Sequence, residues 1–187
     1  EPWRLYDCCM ENDGAAALIV VPAERARDFR HKPAYLLGAA LGSEYRNAAR
    51  SHNAPLYATS SFTTVAPQLY AMAGVTPRDV AVVQAYEHFP GDVLMSLVEH
   101  NFFSAEEANE FLVPENLLAP SGKLPLNTSG GNLAECYMHG LELQVEAVRQ
   151  LRGQSTAQVP EAEISMVISG PMVTPVSSMI LGAEAAL

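Results

Sequence analysis

Solid apolar runs alternate along this chain with stretches whose apolar residues recur at helical spacing. Residues 15–21 (AAALIVV), between Asp13-Gly14 and Pro22, read as a buried strand followed by a short charged helix, AERARDF, that Pro22 starts. Residues 34–41 (AYLLGAAL) read as the next strand, and residues 80–86 (VAVVQAY) as the clearest one. Residues 42–60 show no period, which marks a functional loop, an interface or a lid. Residues 61–73 carry apolar positions at helical spacing, with Pro67 set to kink or restart the helix and Gly74 to stop it. Residues 91–103 predict another helix, and Ser104 with Glu107 forms a capping box for a short one after it. Residues 114–128 are irregular. A Gly-rich turn at 129–132 then leads into a single long predicted helix over 133–153, and two strands at 162–170 and 176–182 close the chain.

Strands alternating with helices and ending in a strand pair predict an α/β fold. The expected sheet is mixed, mostly parallel and five-stranded, with one antiparallel strand and helices on both faces. The chain has 187 residues with 49% hydrophobic and 17% charged positions, which suits one globular domain over residues 1–187. A net charge of −10 repels polyphosphates, so nucleic acid is not expected as a ligand. No apolar run is long enough to span a bilayer, and EPWRLYDCC lacks a signal-peptide pattern. Three cysteines (Cys8, Cys9, Cys136) without metal spacing predict reduced thiols in a cytoplasmic setting. The chain opens at Glu1 rather than at methionine, and is read as a trimmed or processed piece.

Three segments could carry chemistry. In LPLNTSGGNLAECYMHG (residues 124–140), Gly130 and Gly131 permit a sharp turn and close ligand approach. A helix start there would favour an enolate or thioester oxygen, with Cys136, Tyr137 and His139 in its first turns. The same pattern could equally end a loop, with Tyr137 packed on the sheet. QAYEHF (residues 84–89) puts Tyr86, Glu87 and His88 at the C-terminal edge of the clearest strand, where ligands gather in open α/β sheets. ISGPMVTPV (residues 168–176) is too long and Pro-rich for a minimal turn.

Together these blocks resemble the C-terminal half of thiolases, most closely the sterol-carrier-protein type and the thiolase-like lipid-transfer proteins. DCCMENDGAAALIV resembles the DGAAA strand start, and QAYEHF takes the place of NEAF or HDCF. LPLNTSGGNLAECYMHG corresponds to N-P-S-G-G-x(4)-G-H-P, with QLRG ending the following helix, and ISGPM sits at the C-x-G or H-N-x-G loop. The likeness spans nearly all of the chain. It departs where thiolase chemistry resides: the GHP histidine falls on Tyr137, the leading Asn or His of NEAF or HDCF on Tyr86, and the acid–base cysteine near Ser169.

The replacements resemble those of thiolase-like retro-aldolases of steroid side-chain degradation. The resemblance implies cleavage of a β-hydroxyacyl-CoA to a ketone and a shorter acyl-CoA. One of Tyr86 and Tyr137 would deprotonate the β-hydroxyl, and the other would protonate or stabilise the enolate. Glu87, His88, Cys136, His139 and Ser169 are candidate supports; Asn127, Ser129, Gly130, Gly131 and Gly170 would line the substrate. The resemblance implies no metal and no cofactor beyond the substrate's CoA. Implied partners are an N-terminal thiolase half or partner chain, a second copy in a homodimer, and an OB-fold, zinc-ribbon protein; the half alone would be inactive. The alternatives are a conventional acyl-CoA acetyltransferase and an inactive lipid- or acyl-CoA-binding module.

Overall fold

The computed structural model describes residues 4–43 and 59–187. Most of the predicted loop at 42–60 lies outside them. Four strands form one sheet: β1 (Tyr35–Gly42), β2 (Val82–Ala85), β3 (Ile164–Ser169) and β4 (Val176–Gly182), in the spatial order β1-β4-β3-β2. β2 and β3 are parallel, and β4 runs antiparallel to both of its neighbours. Three strands therefore share a direction and one opposes them, as the pattern predicts.

The sheet has four strands, not five. Residues 15–21 join no strand, and Ile19 and Val20 are 83% and 91% exposed. Their apolar pattern is real, but among the described residues no strand edge pairs with it. On the far side of β2, Leu126 makes one parallel bridge to Val83, so the 125–127 segment continues the sheet for a single rung.

Helices cover both faces. On one, α1 (Val65–Ala73) and α2 (Pro90–Glu99) bury Leu69, Val93 and Leu97 against Val83, Ala85, Met166, Ile168 and Ile180. Pro67 lies in the first turn of α1, where its missing N–H costs no helical bond, so it neither kinks nor restarts the helix. Gly74 ends α1 in the left-handed conformation. On the other face, α6 (Leu141–Arg152) packs Leu143, Ala147 and Leu151 on Val167 and Leu181. The period-2 pattern of β3 and β4 thus fills two cores at once. The capping box of Ser104 and Glu107 forms in both directions ahead of α3 (Ala108–Phe111), and α4 (Pro114–Leu117) adds one turn to the irregular stretch.

The first core includes a buried imidazole. His100 contacts the Ser96 carbonyl at 2.7 Å and the Ser178 hydroxyl at 3.0 Å, linking α2 to β4. Burial lowers its pKa from 6.5 to about 4. The unfolded chain therefore takes up a proton below pH 6.5 that the folded one refuses until about pH 4, and this site loses stability as pH falls through that window. His100→Asn should show a stability deficit against wild type that grows as pH rises from about 4 to 6.5 and is level above. Urea midpoints across that range would measure it, and a deficit independent of pH would contradict the assignment.

Candidate active site

β2 ends at Ala85, and the next three residues, Tyr86, Glu87 and His88, leave the sheet, with Tyr86 packed against the core under α6. The Tyr86 N–H still donates to the Ile168 carbonyl at 2.9 Å, so the tyrosine backbone remains fixed to β3. Asn127 holds the same strand end from its other edge. Its Oδ1 accepts the Ala85 N–H at 2.7 Å and its Nδ2 donates to the Ala85 carbonyl at 2.9 Å. Both ends of that amide are thereby committed to backbone.

The predicted helix over 133–153 is two helices. α5 (Gly131–Ala134) is a single turn, residues 135–140 are not helical, and α6 begins at Leu141. His139 and Gly140 break the spiral, with φ of 54° and 86°. A Cβ at Gly140 would lie 3.0 Å from the Tyr86 ring, so glycine lets the two segments approach. Cys136, Tyr137 and His139 consequently sit on a loop rather than in the first turns of a helix. The expected free helix start is also filled: the Glu87 carboxylate accepts the Leu133 N–H at 3.3 Å and the Asn132 side-chain amide at 3.2 Å.

This loop is pinned from three directions. Glu142, in the first turn of α6, accepts the Met138 and Gly140 N–H groups at 3.0 and 3.2 Å. Asn12 accepts the Tyr137 N–H at 2.6 Å. A Cβ on Gly14 would fall 2.8 Å from Met138 Sδ, so the 12–14 turn lies directly on the loop. Below it, the Thr128 hydroxyl donates to Glu146 at 2.7 Å and accepts from Gln84 and Gln150 at 3.0 and 2.9 Å, tying the turn to β2 and α6. Sequence reasoning missed Asn12, Glu142 and Thr128. The position of Glu142 just after Gly140 at a helix start was the available signal for one of them.

The result is a convergence of phenols. The Tyr86 hydroxyl donates to the Tyr137 hydroxyl at 2.9 Å, and the Tyr137 hydroxyl lies 3.2 Å from His139 Nδ1. Burial, then the bond to Tyr137, pushes the Tyr86 pKa well above the ordinary phenol value, so Tyr86 keeps its proton. His88 packs its ring 5.3 Å from that of Tyr86 and pairs through Nε2 with Asp92 at 2.9 Å. Glu87 is 4% exposed, and burial raises its pKa to about 7 against the backbone bonds that favour the anion.

Cys136 lies beyond the end of α5, and burial followed by the charges of Glu135 and Glu142 raises its thiol pKa. Ser129 accepts the Gly131 N–H at a long 3.4 Å, within the turn where Gly130 has a φ of 104°. Ser169 ends β3 and faces a shallow depression of about 190 Å³ with Leu41, Ser177 and Met179, next to Gly170, whose φ is 71°.

Known proteins resemble this chain in sequence and in fold. A family model described as thiolase C-terminal domain-like matches residues 42–183. A steroid side-chain-cleaving aldolase of Thermomonospora curvata is 43% identical, the match covering 98% of this chain and 47% of the relative. A 17-hydroxy-3-oxo-4-pregnene-20-carboxyl-CoA lyase of Mycobacterium tuberculosis is 41% identical over 97% of this chain and 47% of its own. A solved structure, the Ltp2-ChsH2(DUF35) aldolase, superposes with a TM-score of 0.90 at 42% identity, covering 100% of this chain and 49% of that one. The chain spans about half the length of the curated relatives it matches.

Two substitutions test how the site is held. At Gly131 the φ is 56°, and a Cβ would overlap Glu87 Oε1 and lie 2.8 Å from its Cδ. Gly131→Ala should destabilise the protein by about 2–4 kcal/mol, backbone strain and a displaced buried carboxyl acting together, as urea unfolding would measure. Glu87→Gln mimics the protonated acid, and its new amide can meet the buried Asn132 Oδ1, which lacks a partner. Because the folded pKa of Glu87 lies above its usual 4.5, wild-type stability relative to the Gln variant should fall as pH rises from 4.5 through about 7. A difference that does not change with pH would show that Glu87 titrates normally.

Proposed function

The chain belongs to the thiolase C-terminal domain-like family, and on that premise we propose that it is the C-terminal half of a retro-aldolase acting on a β-hydroxyacyl-CoA. The substrate would carry a steroid or similar bulky lipid side chain, and the products would be a ketone and a shorter acyl-CoA. The names of the two relatives above 40% identity support this reading. The single observation that carries it is the 2.9 Å contact between the Tyr86 and Tyr137 hydroxyls.

In this reading Tyr137 is the base. As its phenolate, stabilised by the O–H of Tyr86, it takes the proton of the β-hydroxyl. The oxygen's electron pair forms the ketone C=O, the Cα–Cβ bond breaks, and its pair moves onto the α-carbon as a thioester enolate. Tyr86, kept protonated by its burial, delivers a proton to that carbon and is reprotonated from Tyr137. One proton leaves the hydroxyl and one joins the α-carbon, so no acyl-cysteine, metal or further cofactor enters. The turn from Asn127 through Ser129, Gly130 and Gly131, with the loop at Gly170, would frame the thioester.

An N-terminal thiolase half would complete the site, and the exposed Ile19, Val20, Leu36 and Leu41 are apolar surface for it to cover. A homodimer and an OB-fold, zinc-ribbon partner belong to the same reading, and the solved relative, which pairs Ltp2 with ChsH2(DUF35), supports a partner chain. The free thiols of Cys8, Cys9 and Cys136 fit a cytoplasmic protein.

The full-length protein should release ketone and short acyl-CoA from a tertiary β-hydroxyacyl-CoA, and should not cleave acetoacetyl-CoA with free CoA. Thiolysis in the second assay would instead make it an acetyltransferase, and binding without turnover would leave a lipid-binding module. Tyr86→Phe and Tyr137→Phe should each lower turnover by ~100-fold or more. Near-normal rates in both variants would refute the two-phenol mechanism.

A further inference from the structure

The tyrosine pair does not end at Tyr137. From the half-buried Tyr86 hydroxyl, the hydrogen-bonded line runs to Tyr137 and then to His139 Nδ1, whose residue is exposed. The geometry points to His139 as the outlet of a proton relay that charges and discharges the tyrosine pair, an inference that rests on the aldolase reading above.

Three features single out this histidine. First, among the described residues it is the imidazole that hydrogen-bonds a phenol. His88 lies beside Tyr86 in a tilted ring contact at 5.3 Å, and its Nε2 is held by Asp92. Second, the backbone at His139 is forced into the left-handed region, with φ of 54°. Side chains other than Gly, Asn and Asp adopt it at a cost of roughly 1–2 kcal/mol. Glu142 maintains it, by accepting the N–H groups on either side of the residue, at Met138 and Gly140. The loop is thus held in the conformation that turns the imidazole back onto the Tyr137 hydroxyl, with ring centroids 4.7 Å apart. Third, a base is needed there. A neutral imidazole accepting at Nδ1 takes the phenol proton, leaving the phenolate that the β-hydroxyl then meets. The imidazolium returns that proton to Tyr137 after the α-carbon has been protonated, or exchanges it with water. Each O–H broken is matched by one N–H or O–H formed.

His139 acts through Tyr137 and is a positioning and relay residue, not one that touches the substrate. Two variants separate that role from a structural one, and both tolerate a positive φ. In the full-length enzyme, His139→Asn and His139→Gly should each lower kcat about 10-fold or more with KM nearly unchanged. Imidazole added to the buffer should restore the Gly variant, where the side-chain space is open, and leave the Asn variant unchanged. Wild-type kcat in both variants overturns the relay, and so does a loss that imidazole does not repair in the Gly variant. If the wild-type enzyme itself fails to cleave a β-hydroxyacyl-CoA, the aldolase reading fails and the relay falls with it. Cleavage by wild type together with unimpaired variants sinks the relay alone.

Discussion

A carboxyl buried where a side chain would otherwise be determines the shape of this site. Glu87 leaves the end of β2 and enters the space that only glycine at position 131 leaves open, bonding the one-turn helix α5 from beneath. That contact fixes the distance between a strand end and a loop that belong to different parts of the chain. Tyr86 precedes Glu87 and Tyr137 follows α5, so the separation of the two hydroxyls is set by a neighbour of each rather than by the phenols themselves. A weak contact between two half-buried hydroxyls could not impose such an arrangement. A buried acid with two donors, an obligatory glycine and a backbone-clamping Asn127 can.

Burial of acids recurs around the site. Glu87, Glu142 and Glu146 are 4%, 1% and 1% exposed, and each binds N–H or O–H donors from the turn or loop it supports. In a protein of net charge −10 these carboxyls are kept from solvent and used as acceptors that fix irregular backbone. Irregular backbone cannot satisfy itself, as helices and sheets do, and must find side-chain partners when buried. The cost of desolvating each acid is offset by several hydrogen bonds, and burial raises the pKa of Glu87 and Glu142 against them.

Much of this was legible in the residues. The two closing strands form where expected, the Ser104–Glu107 capping box precedes α3, and Gly74 and Gly153 end their helices. The convergence of Tyr86 with Tyr137 was what the resemblance to the thiolase blocks implied. Two expectations failed for physical reasons. Residues 15–21 have a strand's composition, but a strand is a relation between two segments, and periodicity reports only one of them. Residues 133–153 have a helix's periodicity, yet His139-Gly140 breaks it because Glu142 and Asn12 offer the backbone better partners than the helix does. Asn12 is 125 residues from Tyr137, beyond what local pattern resolves, whereas Glu142 is 2 residues from Gly140 and offered the one local signal.

The stretch that reaches the site through Asn12 runs on, within a few residues, to the bare side chains of Ile19 and Val20. One short length of backbone therefore has a foot in the chemistry and a foot in open water. A surface that covered Ile19 and Val20 would rest on the same short segment that carries Asn12 to the Tyr137 backbone.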